Sequence, residues 1–306
     1  MAEWVYPLGS ASDGAWQVSL GAHDSALAVD GWAHTGIKVA ELAPGASISL
    51  AAAGEERIVV PLTGAFEATV DGDTYPLRGR ASVFAGPSDV LYTGIGKAVE
   101  ISSPQGGRVA VALAPAKAAY PTRLIRAEET PLELRGAGNC SRQVHNFGTP
   151  AALEADRFIV CEVITPAGNW SSYPPHKHDE EKEGETNLEE IYYFETRLAP
   201  GSPVGAGNAG AADVAGQDPV GYARVYASDE RPIDVSAEVR TGDVVLVPHG
   251  WHGPAMAAPG YDLYYLNVMA GPGRVREWLI SDDPHHGWIR STWDAQAVDP
   301  RLPFTS

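Results

Sequence analysis

The sequence predicts an all-β protein of two barrels in one chain, with few helices. Three observations carry this expectation. Its 33 glycines and 24 prolines are spread between short runs of Val, Ile, Leu and Tyr, so turns recur often and the strands between them are short, as in sandwiches and barrels. A similar succession of strands and turns occurs twice, in about 46–102 and again in about 157–269. A hydrophobic content of 44% over 306 residues is enough for two cores, at about 150 residues per domain.

In order along the chain, 46–50, 57–62, 65–70, 73–77, 81–84 and 99–102 alternate or run apolar between turn signals such as Asp71-Gly72 and Gly86-Pro87, the pattern of strands joined by tight turns. These make the first barrel. The second starts near Arg157, with strands expected at 157–164, 190–195, 222–227, 243–247 and 261–269. Residues 200–219 are rich in Gly, Ala and Pro with almost no bulky side chain, a composition that gains little from burial. A flexible solvent-exposed loop is expected there, an active-site lid being the other reading. A short helix over 274–280 and a tail wrapped over a barrel complete the chain. The division into domains falls at 1–140 and 141–306.

Chemistry concentrates in the second half. His176-Lys177-His178 is followed by Glu190 and later by His252. In an extended strand side chains alternate, so His176 and His178 project to one side and Lys177 to the other. Three imidazoles and a carboxylate suit zinc, manganese, iron, cobalt or nickel, and leave coordination positions open to water or substrate. A lone HxH pair also arises by chance on wet surfaces, but here the surroundings favour a site. Residues 242–252, Gly-Asp-Val-Val-Leu-Val-Pro-His-Gly-Trp-His, read as a turn, a buried strand and a second turn that delivers a histidine. Eleven residues separate His178 from Glu190, and Glu189 is a rival ligand. Neighbours on a strand face opposite ways, so only one of the two reaches the ion.

These two blocks resemble the two motifs of the cupin superfamily, in which HxH and Glu come from the first and the last histidine from the second. The residues 168–179 (Gly-Asn-Trp-Ser-Ser-Tyr-Pro-Pro-His-Lys-His-Asp), 188–194 (Leu-Glu-Glu-Ile-Tyr-Tyr-Phe) and 258–272 (Ala-Pro-Gly-Tyr-Asp-Leu-Tyr-Tyr-Leu-Asn-Val-Met-Ala-Gly-Pro) are similar to the 5-deoxy-glucuronate isomerases of inositol catabolism, as are 142–144 and 299–303. The resemblance implies a bicupin, two double-stranded β-helix (jelly-roll) barrels. In its first half, 57–64 takes the place of a first motif but holds no HxH. Residues 1–140 are therefore expected to be a degenerate cupin serving packing or dimer formation, and 141–306 the metal-binding one with a C-terminal tail. The long gap before Glu190 resembles an insertion of the isomerase family, and the Glu-Ile-Tyr pattern favours Glu190 over Glu189.

The implied reaction is aldose–ketose isomerisation of 5-deoxy-D-glucuronate to 5-dehydro-2-deoxy-D-gluconate. The metal ligands would be His176, His178, Glu190 and His252, holding a divalent ion with zinc first and manganese, iron, cobalt or nickel as the others. Such an ion acts as a Lewis acid towards the carbonyl and neighbouring hydroxyl oxygens, in an enediolate or a hydride-shift route. Tyr192 shares the inward face of Glu190 and is the candidate acid/base or orienting group. Tyr265 and Asn267 share a face of a later strand as candidate substrate-binding residues, although a strand tyrosine is also an ordinary half-buried packing residue. Arg142 suits the substrate carboxylate by a bidentate contact, or else a salt bridge. His145, His249 and Lys177 are lesser second-layer candidates. Trp170 and Trp251 are expected to wall the pocket, and His23, His34, His285 and His286 to lie outside the metal site.

Charge and cysteine content limit the partners. With 39 acidic against 22 basic residues, the net charge of -17 disfavours nucleic acid and anionic membranes, both of which need a basic surface. Much of this acid lies in 179–185, expected to be a solvated loop. Cys140 and Cys161 read as structural thiols in a reducing compartment. No apolar run approaches the roughly 20 residues of a membrane span, and the N-terminus lacks a basic start followed by an apolar stretch, so a cytoplasmic location is expected. The partner is a small sugar acid, and covering of exposed sheet edges predicts a homo-oligomer, dimer or larger. Two rival readings are an Fe(II) dioxygenase, which would consume oxygen, and a non-catalytic sugar-acid binding cupin, which would not need the complete ligand set.

Overall fold

Alternation of side chains decides how this chain layers. The computed structural model describes residues 4–21, 29–202, 217–228 and 231–304. In the strand Glu189–Leu198, Ile191 and Tyr193 enter one apolar cluster while Tyr192 and Phe194 enter another. The strand Tyr261–Ala270 divides likewise, with Tyr264, Leu266 and Val268 on one side and Leu263, Tyr265 and Met269 on the other. These strands are central to a seven-stranded antiparallel sheet that is buried on both faces, which is why they read as near-continuous apolar runs. The order is Val5–Tyr6, Val244–Val247, Glu189–Leu198, Tyr261–Ala270, Ile159–Thr165, Arg142–Gly148, Leu132–Arg135.

Facing its second cluster is a six-stranded sheet of Asp234–Val239, Gly221–Tyr226, Trp251–Ala257, His176–Lys177 and Ser281–Asp282, with Trp170–Ser171 paired to Trp251–Ala257. Facing its first cluster is the nine-stranded sheet of the first half. That sheet turns on the strand Glu55–Val70, whose early residues pair with Val90–Thr93 and Gly107–Pro115 and whose late residues pair with Asp73–Arg80 and Val99–Ser103. The bend between them needs Gly64: its φ is +84° and a Cβ there would lie 2.5 Å from the Gly106 carbonyl oxygen, which only glycine accommodates. A third cluster, including Phe66, Leu77, Ile101 and Leu113, fills the space the curl encloses. The first and last parts of the 1–140 segment, Val5–Tyr6 and Leu132–Arg135, pair within the seven-stranded sheet.

Buried polar ties cross between the halves. Arg80 donates to both oxygens of Glu162 at 2.7 Å, Tyr264 donates to the same carboxylate at 2.7 Å, and the His145 Nδ1 lies 2.6 Å from it. Burial opposes the charge on Glu162, yet Arg80 and His145 hold its carboxyl well below the usual carboxylate range. Glu56 accepts from the backbone N–H groups of Asp156, Arg157 and Phe158. With every charge partnered, these networks set the relative position of the sheets more than they add stability.

Two expected elements differ. Residues 81–84 are not a strand: the chain leaves the sheet after Arg80, whose guanidinium turns inward to Glu162, and forms a 3-10 turn at Val83–Ala85. Residues 274–280 are not helical. Arg276 reaches the carbonyls of Phe158, Leu153 and Gly148 while Thr186 bonds the backbone at Glu277 and Leu279, and this anchoring holds the segment in an irregular path. The helical stretch of the tail is a 3-10 segment at Gly287–Ala295. Most of the 200–219 loop, with the question of a lid, lies outside the described residues, as does His23.

Candidate functional site

His176 stands directly opposite His252 where the strand His176–Lys177 pairs with Trp251–Ala257. His178 follows two residues on, and Glu190 is carried by the facing sheet in Glu189–Leu198. All four are buried. The imidazole of His252 sits between the other two, with ring centroids 4.4 Å from His176 and 4.6 Å from His178. Each ring meets a backbone carbonyl through Nδ1: Pro174 at 3.2 Å for His176, Leu188 at 3.1 Å for His178 and Gly250 at 3.3 Å for His252. A carbonyl oxygen only accepts, so Nδ1 carries the proton and Nε2 is left as a bare lone pair.

Those lone pairs meet the Glu190 carboxylate. Its Oε2 lies 3.1 Å from the His178 Nε2 and 3.0 Å from the His252 Nε2. The His252 nitrogen is within ion-pair distance but misaligned for a hydrogen bond, and is buried without a partner. A proton on His178 can satisfy the first contact, but at His252 acceptor faces acceptor, which is unfavourable unless a cation lies between them. Burial disfavours a charged ring at His178, but Glu190 lifts its pKa above the usual value; burial and the two neighbouring imidazoles push His176 far down. The donor set therefore fits a divalent metal ion, held by three Nε2 atoms and one carboxylate.

Glu189 faces away, accepting the backbone N–H groups of Ala33, His34 and Thr35 at 2.8, 2.8 and 3.2 Å. Lys177 also points away, its ammonium 2.7 Å from each of Asp179, Glu180 and Glu185. Residues 179–185 are thus solvated only at the tip, 181–184, and not at their two ends. They open a hairpin of Asp179–Lys182 and Glu185–Asn187 with Asp179 and Glu185 buried, because the buried ammonium gathers their carboxylates.

Beside these four side chains is a small pocket lined by Arg135, Arg142, Val144, Val163, Ser172, His176, Glu190, Tyr192, Tyr265, Asn267 and Trp278. The geometry brings Tyr192, Arg142, Tyr265 and Asn267 together there. Tyr192 and Tyr265 lie 3.0 and 3.4 Å from the Ser172 hydroxyl. Burial, with Glu190 nearby, raises the Tyr192 phenol well above its ordinary value. Arg142 is buried, lies opposite Arg135 across paired strands, and donates only to carbonyls, those of Cys140 and Tyr173. Arg135 has Glu133 at 2.8 Å, but Arg142 has no carboxylate among the described residues. Burial pushes its pKa down to about 10. Asn267 Nδ2 and Trp278 Nε1 are buried donors without acceptors. The pocket therefore holds an excess of donors, suited to a small anion rich in oxygen.

The pocket walls differ from expectation. Trp251 lies over Lys177 and Trp170 is 38% exposed against Tyr173, so neither lines the pocket. Its tryptophan is Trp278, missed because 274–280 reads as helix. Arg135 was also missed; the alternation Leu132-Glu133-Leu134-Arg135 is the signal that would have placed it on a strand beside Arg142. His145 is spent in the Glu162 network, and His249 reaches only the Pro232 carbonyl, at 3.4 Å.

The chain matches the model of the KduI/IolB family over residues 6–289. It is 41% identical over 262 residues to a protein of Geobacillus kaustophilus (strain HTA426) named 5-deoxy-glucuronate isomerase, covering 85% of this chain and 87% of that one. Among solved structures it is similar to an IolB-like protein from Salmonella typhimurium LT2, with TM-score 0.79, 33% identity and coverage of 94% of this chain and 98% of that one. It shares fold alone with oxalate decarboxylase of Bacillus subtilis, at TM-score 0.58 and 11% identity, covering 92% of this chain and 80% of that one.

Proposed function

The chain belongs to the KduI/IolB family, an all-β protein of cupin fold, and from that premise we infer that it is a metal-dependent 5-deoxy-glucuronate isomerase. The reaction converts 5-deoxy-D-glucuronate to 5-dehydro-2-deoxy-D-gluconate, an intramolecular oxidoreduction in myo-inositol catabolism. One observation in the molecule supports this above the rest: four converging donors open onto a pocket with, among the described residues, unsatisfied hydrogen-bond donors and a buried guanidinium that has no carboxylate partner. A coupled assay with 5-deoxy-glucuronate, before and after chelation, tests it. Turnover lost with the metal and restored on its return supports the reading, and turnover untouched by chelation excludes a metal role.

His176, His178, Glu190 and His252 are the proposed metal ligands. Bound there, a divalent ion supplies Lewis acidity to the carbonyl and adjacent hydroxyl oxygens. Zinc would be the first candidate for this donor set, with manganese, iron, cobalt and nickel as the others; elemental analysis identifies the ion. Arg142 receives the substrate carboxylate, and Asn267 Nδ2 and Trp278 Nε1 donate to hydroxyl oxygens. Tyr265 orients the Ser172 hydroxyl, which in turn meets Tyr192.

Tyr192 is proposed as the proton-holding residue. Its raised pKa keeps the phenol protonated at neutral pH, so it donates towards a substrate oxygen rather than acting as a standing base. Tyr192→Phe is expected to lower kcat about a hundredfold, the lower range for a lost acid–base group, with KM and metal content unchanged. An unchanged kcat excludes this role.

We propose a degenerate first cupin at 1–140, packing against the metal-binding 141–306, and assembly of the chain into a dimer or larger. The outer strand Leu132–Arg135 ends the seven-stranded sheet with Leu132 and Leu134 exposed by 45% and 36%, an edge that needs covering. Light scattering is expected to give at least twice the 32.4 kDa chain mass, and a monomer at working concentration removes the assembly. Among the described residues no helix is long and apolar enough to cross a membrane.

A further inference from the structure

The strand that carries His176 is only two residues long and meets the strand of His252 through a single residue pair, His176 opposite His252. So short a ladder does little to hold two strands in register. Yet a site of this kind tolerates displacements of only about 0.5 Å. Something besides the ladder must set the distance between the HxH segment and the turn that delivers His252.

Lys177 and Asp179 lie where that connection is needed. On the face opposite the two histidines, the Lys177 ammonium is held at 2.7 Å by Asp179 Oδ1 and by Glu185 Oε1. Glu185 Oε1 also accepts the Asp179 backbone N–H at 3.1 Å. The other oxygen of Asp179 accepts the backbone N–H of Gly250 at 2.8 Å and the Arg231 guanidinium at 2.9 Å. Gly250 is the residue whose carbonyl receives the His252 Nδ1, at 3.3 Å. Its φ is +86° and a Cβ would fall 2.6 Å from the Tyr226 carbonyl oxygen, so this turn has one conformation open to it. A path therefore runs from the residue between the two HxH histidines, through one carboxylate, to the N–H of the residue whose carbonyl meets the third. The three carboxylates around Lys177 need no metal of their own, since the ammonium already fills the centre of the group.

We propose that Asp179, locked by Lys177, is a positioning residue that registers the two halves of the metal site against each other. This rests on the metal-site reading above. Hydrogen-bonded partners of this kind commonly change metal affinity by about 10- to 100-fold when removed. Asp179→Ala breaks both links. Asp179→Asn keeps the shape, but cannot offer an oxygen to Gly250 N–H and to Lys177 at once without turning its NH2 onto one of these donors.

The test is chelator-competition titration of metal affinity for the wild type, Asp179→Asn, Asp179→Ala and Glu183→Gln, an equal charge change at the exposed hairpin tip. The visible absorption of the cobalt-loaded proteins and the melting temperatures of the metal-free ones are read alongside. The expected result is a Kd raised about 10-fold or more in both Asp179 variants, with a shifted cobalt band and, in metal-free Asp179→Asn, a cooperative melt at or below the wild-type temperature. Glu183→Gln should keep the wild-type Kd and band. A folded Asp179→Asn with wild-type affinity and band overturns the proposal, as does an equal loss in Glu183→Gln. Wild-type protein that binds no metal overturns instead the site on which the proposal stands.

Discussion

Replacing His252 with alanine is expected to remove the bound metal and lower kcat/KM by at least about a thousandfold, while the circular dichroism of the folded protein is unchanged. The size follows from losing a Lewis acid that contributes several kcal/mol of transition-state stabilisation, at about 1.4 kcal/mol per decade. The fold should survive, because among the described residues the ring's one hydrogen bond is that of its Nδ1 to the Gly250 carbonyl. Its Nε2 has no partner and faces a carboxylate, an arrangement that costs the metal-free protein stability. His176→Ala should behave alike. The neighbouring glutamates provide a sharper comparison: Glu190→Gln should lose metal, and Glu189→Gln should keep it while loosening the Ala33–Thr35 turn that its carboxylate holds. Full metal content in His252→Ala, or loss of metal only in Glu189→Gln, would show that the ligands have been misassigned.

Local periodicity made much of this site legible in the sequence. A period of two put His176 and His178 on one face and Lys177 on the other, and separated Glu190 from Glu189, because side-chain direction on a strand depends on parity alone. The same rule placed Tyr192 with Glu190, and Tyr265 with Asn267. What failed depends on contacts distant in sequence. Residues 179–185 have the composition of a wet loop, and only the buried Lys177 ammonium, whose burial no local pattern announces, draws two of their carboxylates inside. Residues 274–280 have acceptable helix composition, and it is Arg276 reaching carbonyls more than a hundred positions away that holds them out of a helix. Trp278 was misplaced as a consequence, and Arg135 was overlooked because its meaning comes from facing Arg142 across a strand pair. Strand existence is thus a local property, whereas pocket walls are assembled from segments joined only by the fold.

Arg142→Met is expected to weaken substrate use severely without weakening the fold. A guanidinium buried beside Arg135 and with no carboxylate of its own among the described residues is held at a cost, because burial disfavours its charge. The depression of its pKa to about 10 corresponds to roughly 3 kcal/mol of destabilisation, at 1.36 kcal/mol per pKa unit. The sign follows from linkage: a base whose folded pKa is depressed binds its proton less well in the folded state, so its cost is fully present below about pH 10 and falls as pH rises through that value. Methionine keeps much of the volume and removes the charge, so urea unfolding should show stability unchanged or raised. With substrate bound, its carboxylate would supply the missing partner. Losing one side of such a desolvated pair costs about 2–5 kcal/mol, so kcat/KM should fall by about 30- to several thousandfold, mainly through KM, with metal content intact. Arg142→Lys should recover only part of this, since an ammonium cannot form the bidentate contact. A KM unchanged in Arg142→Met would assign the carboxylate to Arg135 or elsewhere, and a large loss of stability would mean that Arg142 serves the fold rather than the substrate.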